Sequence, residues 1–209
     1  MNSLAALART ARRLQATSLL KPGATAKRLP ALLFFTDPAR VACPEAVVAR
    51  LPRGAGVVFR AFGAADAVAQ GRRLTAVARR RGVMVFVGAD VSLAIALKAD
   101  GVHLPQALAG RTGDNRAIRR RFRLTAAAHD ASAILAIGRS GVEALIVSPV
   151  FPSRSPSAGR PLGVLAFARL VRNARTPVFA MGGIDALAAR RLARSGATGL
   201  AAVEALTKT

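Results

Sequence analysis

The sequence predicts an α/β chain folded as a single (β/α)8 barrel, with an extra N-terminal helix and a truncated eighth helix. Three observations carry that expectation. Eight short apolar runs recur between residues 31 and 203, and several are continuous rather than alternating, as parallel strands buried on both faces require. Helix-like stretches separate them, and eight β–α alternations favour a closed barrel over an open sheet. The 209 residues suit one domain with its own core.

Taken in order, residues 1–29 hold no acid and six basic residues: Arg9, Arg12, Arg13, Lys21, Lys27 and Arg28. Leu4, Leu7, Ala11 and Leu14 recur there at helical spacing, which reads as a helix preceding the barrel. An Arg-rich, acid-poor amphipathic stretch is also the pattern of a transit peptide. Lys21-Pro22-Gly23 marks a break, so the chain divides into a helical extension over 1–29 and a barrel over 30–209. The candidate strands are Ala31–Phe35, Val57–Phe59, Val83–Val87, Gly101–Leu104, Phe122–Ala127, Ala144–Val147, Pro177–Ala180 and Thr198–Val203. Candidate helices between them include Asp66–Arg81, Ser92–Lys98, Ala131–Arg139, Leu165–Asn173 and Ala186–Ser195. After the eighth run only Glu204–Thr209 remain, about 9 Å of helix and too short to cover a strand. The first and eighth strands meet at barrel closure, so the N-terminal helix is expected over their seam, with Leu4, Leu7, Ala11 and Leu14 facing inward.

Composition narrows the function classes. Hydrophobic residues make up 52% and charged residues 20%, which excludes a disordered chain. No apolar run reaches the ~18 residues that span a bilayer, so no membrane partner is expected. The single cysteine, Cys43, excludes an internal disulfide, reads as structural, and fits a reducing, cytoplasmic setting. The formal charge is +22, from 32 Lys+Arg against 10 Asp+Glu. With no Trp and no Tyr, the chain lacks the usual stacking surface for single strands. The basic residues form no single block, so they read as a generally basic solvated surface, and nucleic acid is not an expected partner.

Barrel chemistry sits on the residues just after each strand. After the seventh run comes Met181-Gly182-Gly183-Ile184-Asp185, where paired glycines expose backbone N–H groups to an anion such as phosphate. The competing reading is a tight strand-to-helix turn. After the sixth run the long polar segment Ser148–Gly163 reads as a lid or as a flexible surface loop. It offers the hydroxyls of Ser153, Ser155 and Ser157, and the guanidinium groups of Arg154 and Arg160. His129 follows the fifth run, well placed for proton transfer unless it is structural. His103 lies inside the fourth run and reads as packed and hydrogen-bonded rather than catalytic.

As an ordered set these segments resemble the thiamine phosphate synthase/TenI family over roughly residues 31–206. Ala99-Asp100-Gly101-Val102-His103-Leu104-Pro105-Gln106 resembles the family's Ala-Asp-Gly-Val-His-Leu-Gly-Gln, and Pro149-Val150-Phe151-Pro152-Ser153 its Pro-Val-Phe-Pro-Thr. Pro161-Leu162-Gly163 and Met181-Gly182-Gly183-Ile184 match Pro-Leu-Gly and Ile-Gly-Gly-Ile at the right spacing. The resemblance implies a (β/α)8 barrel. It also implies an enzyme that makes thiamine phosphate from a thiazole phosphate and a pyrimidine pyrophosphate, or one that aromatises a thiazole phosphate carboxylate.

The departures carry information too. Synthases of the family hold Mg2+ with acids after strands 3 and 4. Here Gly88-Ala89-Asp90 aligns with Asn-Asp-Arg, and Leu108 replaces the second acid, although hard dications demand oxygen ligands. Val58-Phe59-Arg60-Ala61-Phe62 keeps only the arginine of Gln-Leu-Arg-Glu-Lys, and a family lysine falls on Pro156. The family's phosphate-binding serine falls on Glu204, whose carboxylate repels a phosphate unless it swings away or pairs with an arginine. His129 aligns with the acid/base histidine of the tautomerase branch. The expected function is therefore proton transfer on a phosphorylated thiazole, with His129 as shuttle and Arg60 orienting an anionic group. Ser153, Arg154, Ser155, Arg160, Gly182 and Gly183 would hold the phosphate, with no metal or cofactor. A thiamine phosphate synthase that uses Mg2+ and a non-catalytic ligand-binding barrel are the alternatives. Assembly into a homo-oligomer stays open.

Overall fold

Eight parallel strands close on one another in sequence order. They are β1 (Leu32–Phe35), β2 (Gly56–Phe59), β3 (Met84–Gly88), β4 (Gly101–Leu104), β5 (Arg123–Ala128), β6 (Ala144–Val147), β7 (Val178–Ala180) and β8 (Gly199–Ala202). The computed structural model describes residues 3–19, 29–110, 112–155 and 159–207. Every apolar run of the sequence becomes one strand, shifted by a residue or two at its ends. Each strand of β1, β2, β4, β6, β7 and β8 is buried along its whole length, which is why those runs are continuous. Closure pairs Leu32 with Leu200 and Phe34 with Ala202.

The helices are α1 (Ser3–Leu19), α2 (Pro44–Arg50), α3 (Ala67–Arg81), α4 (Val91–Leu97), α5 (Gln106–Ala109), α6 (Thr112–Arg119), α7 (Ala131–Ile137), α8 (Gly163–Asn173) and α9 (Ala186–Arg190). The helix expected to run to Ser195 stops at Arg190, and turns carry the chain on to β8. A single 3-10 turn, Glu204–Leu206, follows β8 in place of an eighth barrel helix.

α1 fills that place. It packs on α9, β8, β1 and the 3-10 turn. Leu4, Leu7, Ala11 and Leu14 are all buried, Leu7 and Ala11 completely. At the base, Ser18 Oγ lies 3.0 Å from Thr198 Oγ1, and Gln15 Nε2 donates to the Leu29 carbonyl at 2.7 Å. At the other end Ser3 lines the cavity at the mouth. α1 therefore runs antiparallel to the strands, as a barrel helix does. The expected break at Lys21-Pro22-Gly23, with Lys27 and Arg28, lies outside the described residues. No described helix is long and apolar enough to cross a membrane. Cys43 is exposed just before α2, not packed in the core.

Helix polarity sorts the charges. Asp90, Asp130 and Asp185 follow β3, β5 and β7, and their carboxylates accept the first free N–H groups of α4, α7 and α9. Arginines fill the opposite helix ends: Arg79, Arg80 and Arg81 in α3, Arg119 in α6, Arg172 in α8 and Arg190 in α9. Helix-capping aspartates therefore gather at the mouth and helix-end arginines at the base.

If α1 is integral to the core, Leu7→Ala leaves a cavity and costs about 2–5 kcal/mol. Thermal unfolding followed by circular dichroism then shows a Tm lower by roughly 5–15 °C. An unchanged Tm would mean that α1 does not belong to the cooperative unit.

Candidate active site

The C-terminal ends of the strands surround a cavity of about 1090 Å3. His129, Arg60, Ser153, Arg154, Ser155, Gly182 and Gly183 all line it. Arg160 does not; it is exposed on the far side of the β6–α8 loop. Pro156 and Ser157 lie outside the described residues.

The glycine pair has a steric cause. Gly182 and Gly183 have φ of +89° and +63°. An added Cβ would meet Pro149 Cα at 2.7 Å and the Pro152 carbonyl at 2.4 Å. Val150 N–H and Phe151 N–H donate to the Met181 and Gly182 carbonyls at 2.9 and 3.0 Å. The start of the β6–α8 loop thus zips onto the glycine backbone, and no side chain fits between them. Among the described residues the N–H groups of Gly182 and Gly183 donate to nothing, which leaves them available to an anion.

Around the rest of the rim, charges form a chain. Arg154 in the lid pairs with the Glu204 carboxylate. Arg40 reaches Glu204 at 3.9 Å and Asp37 at 2.7 Å. Arg60 reaches the same Asp37 oxygen at 3.4 Å. Burial raises the Asp37 carboxyl, but the Arg40 hydrogen bond and the charges of Arg40 and Arg60 outweigh it and hold it below its ordinary range. The carboxylate expected to repel a phosphate is therefore already paired. With Arg154 80% exposed, that pair is weak, about 0–1 kcal/mol.

Arg60 is the fixed member of the chain. Its backbone N–H donates to Thr36 Oγ1 at 2.8 Å, and its Nε to the Thr36 carbonyl at 2.7 Å. Its guanidinium lies over Phe35 at 5.5 Å and over Phe62 at 5.0 Å. Burial pushes its pKa down and the Asp37 charge opposes that shift. Phe62 itself has φ +48°, which costs a residue with a side chain about 1–2 kcal/mol. Ala89 is held similarly at φ +62°, by its N–H donating to the His103 carbonyl at 2.8 Å.

The two histidines sit in different surroundings. His103 is buried, with Nδ1 3.1 Å from Thr125 Oγ1 and its ring edge-on to Phe35 at 5.0 Å. Burial, then the charges of Arg60 and His129, push its pKa down to about 3. His129 is exposed to the cavity. Its Nδ1 is 2.8 Å from the Ser148 carbonyl, which only accepts, so Nδ1 carries the proton. Its Nε2 has no partner among the described residues. Gln106 Oε1 accepts the His129 backbone N–H at 2.8 Å and fixes the strand end.

The residues present do not fit a resident Mg2+. Asp90 Oδ1 caps α4 by accepting from Leu93 N–H at 2.8 Å, and Asp185 Oδ1 caps α9. Asp37 and Glu204 are held by arginines, and Leu108 lies outside the cavity. Among the described residues no group of three or more His, Cys, Asp or Glu converges. Sequence reasoning missed Asp37, Arg40 and Gln106. The first two directly follow the first apolar run, the same kind of position that pointed to His129.

Comparison with known proteins adds relatives to this geometry. A family model described as thiamine monophosphate synthase matches residues 32–206. The chain is 35% identical over 134 residues to a thiamine-phosphate synthase of Chloroflexus aurantiacus, covering 61% of this chain and 59% of that protein. It is 32% identical over 147 residues to one of Geobacillus kaustophilus, covering 68% of this chain and 65% of that one. The match thus spans less than two thirds of either relative. Thiamine phosphate pyrophosphorylase from Pyrococcus furiosus superposes with a TM-score of 0.71 at 22% identity, covering 85% of this chain and 90% of that one. FabK from Thermotoga maritima gives 0.63 at 17%, covering 86% and 59%. At those identities the likeness is one of fold.

Two measurements test the site as built. The unfolded chain protonates His103 near pH ~6.5, whereas the fold resists protonation down to about 3. Above ~6.5 the residue adds no pH dependence. As pH falls from there, the unfolded state gains the proton first, so stability drops by up to about 1.4 kcal/mol per pH unit. Denaturant titrations between pH 7 and 4 should show wild type losing stability more steeply than His103→Gln by about that slope; parallel curves would mean a solvent-open imidazole. Separately, Glu204→Gln frees Arg154 and Arg40 and should tighten inorganic phosphate about 5-fold by calorimetry at low salt. Unchanged or weaker binding would put the anion elsewhere.

Proposed function

Since the chain belongs to the thiamine monophosphate synthase family, we propose that it is a thiamine-biosynthesis enzyme acting on a phosphorylated thiazole at the barrel mouth. The relatives carry the synthase name, which supports joining a pyrimidine pyrophosphate to the thiazole phosphate, with release of pyrophosphate, over the proton-transfer chemistry expected from the sequence departures. The observation that carries this reading is the rim itself: free backbone amides at Gly182 and Gly183 on one side of the cavity, and the guanidinium groups of Arg154, Arg40 and Arg60 around it. Two phosphorylated substrates need two anion sites, and the cavity offers both. Arg60 is anchored before substrate arrives, so it orients an anionic group without reorganising. Arg154 is weakly held and can leave Glu204 for a phosphate as the lid closes. Without a fitting metal site, these guanidinium groups are the charges that the chain itself offers a leaving pyrophosphate.

One observation favours a second reading. His129, with Nδ1–H held by the Ser148 carbonyl, presents a basic Nε2, which suits abstraction of a proton from a thiazole precursor.

A single pair of assays separates the two. Incubation with pyrimidine pyrophosphate and thiazole phosphate, with and without added Mg2+, is followed by thiamine phosphate and pyrophosphate release. The synthase reading expects turnover that falls about 10²-fold in Arg60→Ala and survives in His129→Asn. Absence of product, with aromatisation of thiazole phosphate carboxylate that falls ~10²–10⁴-fold in His129→Asn, reverses the assignment. Inactivity in both assays would leave a ligand-binding barrel.

A further inference from the structure

Among the described residues, Phe62 is the exposed large hydrophobic side chain that lines the cavity; the other exposed ones lie away from it. It is 67% exposed. Its backbone makes the position stranger. Ala64 N–H closes a turn onto the Ala61 carbonyl at 3.0 Å, and the two central residues, Phe62 and Gly63, have φ of +48° and +79°. Positive φ at both central positions is turn geometry that selects Asn-Gly or Asp-Gly. Phenylalanine is among the residues that this geometry disfavours most.

The fold gains little in return. The ring is not in the core, and its recorded partner is the Arg60 guanidinium, 5.0 Å from the ring centroid. Arg60 in turn lies over Phe35 and is anchored through Thr36. The ring therefore rests against a rigid cation and turns toward the same cavity as the free amides of Gly182 and Gly183. A residue held in a disfavoured conformation, wet, and at the mouth of a site is a candidate for recognition.

We propose that Phe62 is a specificity-determining residue: a stacking platform, backed by Arg60, for the planar heteroaromatic ring of the ligand. A flat ring laid on Phe62 covers apolar surface that water now touches and places its edges within the field of Arg60. Recognition of the heterocycle is thereby separated from recognition of the phosphate. Only the identity of the ring, thiazole or pyrimidine, rests on the functional reading above.

The test uses the full chain and calorimetric titration with three probes: thiazole phosphate, an aminopyrimidine and inorganic phosphate. Phe62→Asn should weaken whichever heterocycle binds by roughly 5- to 10-fold, leave inorganic phosphate as in wild type, and hold or raise Tm, because Asn-Gly suits the turn. Phe62→Tyr should restore heterocycle binding, whereas Phe62→Leu should not. Wild-type heterocycle affinity in Phe62→Asn or Phe62→Leu overturns the proposal, as does a clear drop in Tm with unchanged binding. If wild type takes the aminopyrimidine but not thiazole phosphate, the thiazole reading fails and Phe62 is judged on the pyrimidine. If it binds phosphate and neither heterocycle, the platform is refuted.

Discussion

β1 has to pair with β8, and the mouth of the barrel is assembled by that pairing. In register, Phe34 sits opposite Ala202. The chain leaving β1 carries Asp37 and Arg40, and the chain leaving β8 carries Glu204. Closure sets these three side by side, although more than 160 residues separate them in sequence. It also creates a difficulty. Among the described residues a 3-10 turn and no helix follows β8, so the apolar seam at β1 and β8 takes its cover from elsewhere. α1 answers it from the other end of the chain, with Leu7 and Ala11 at zero exposure. Covering the seam and shaping the rim are thus one requirement met twice.

The same polarity governs the charge. In a (β/α)8 barrel every helix runs against the strands, so all helix N-termini gather at the mouth and all C-termini at the base. Aspartates that cap and arginines that complement helix dipoles are then segregated along the axis without any partner to select them. Guanidinium groups at helix ends account for part of the excess of +22. The cost falls on metal chemistry. A carboxylate that caps a helix has one oxygen committed to the backbone, and Asp90, one position from the aligned family acid, is held in this way.

The strands were legible because complete burial leaves an unbroken apolar run, and α1 because Leu4, Leu7, Ala11 and Leu14 keep helical spacing. His129 and the glycine pair were legible from position alone, at the ends of the fifth and seventh strands. What escaped the sequence depended on contacts across the barrel. Nothing local to Glu204 announces Arg154, fifty residues away, and nothing local to Arg60 announces its anchorage on Thr36. Arg154 and Arg160 share one loop in the sequence, which groups them, yet only Arg154 of the two lines the cavity. The glycine pair was read for its amides, while the closest contact it makes is with the lid backbone. Phe62 carried a signal that was passed over: a bulky ring before glycine in a short loop sits where turn chemistry asks for asparagine.

The rim leaves Glu204 paired with arginines rather than facing the cavity as a lone charge. Arg154, Glu204, Arg40, Asp37 and Arg60 alternate in sign, three cations against two anions. Without ligand, each carboxylate keeps its neighbouring guanidinium groups in place and spares them isolation at a partly dry surface. An anion binding these arginines would compete within this arrangement. The most exposed contact is Arg154 to Glu204, and the least exposed is the half-buried pairing of Arg40 with Asp37. An anion drawing on these arginines would meet least resistance at the exposed Arg154–Glu204 contact, and would leave the contact of Asp37 with Arg60, whose guanidinium is anchored on Thr36, undisturbed beneath.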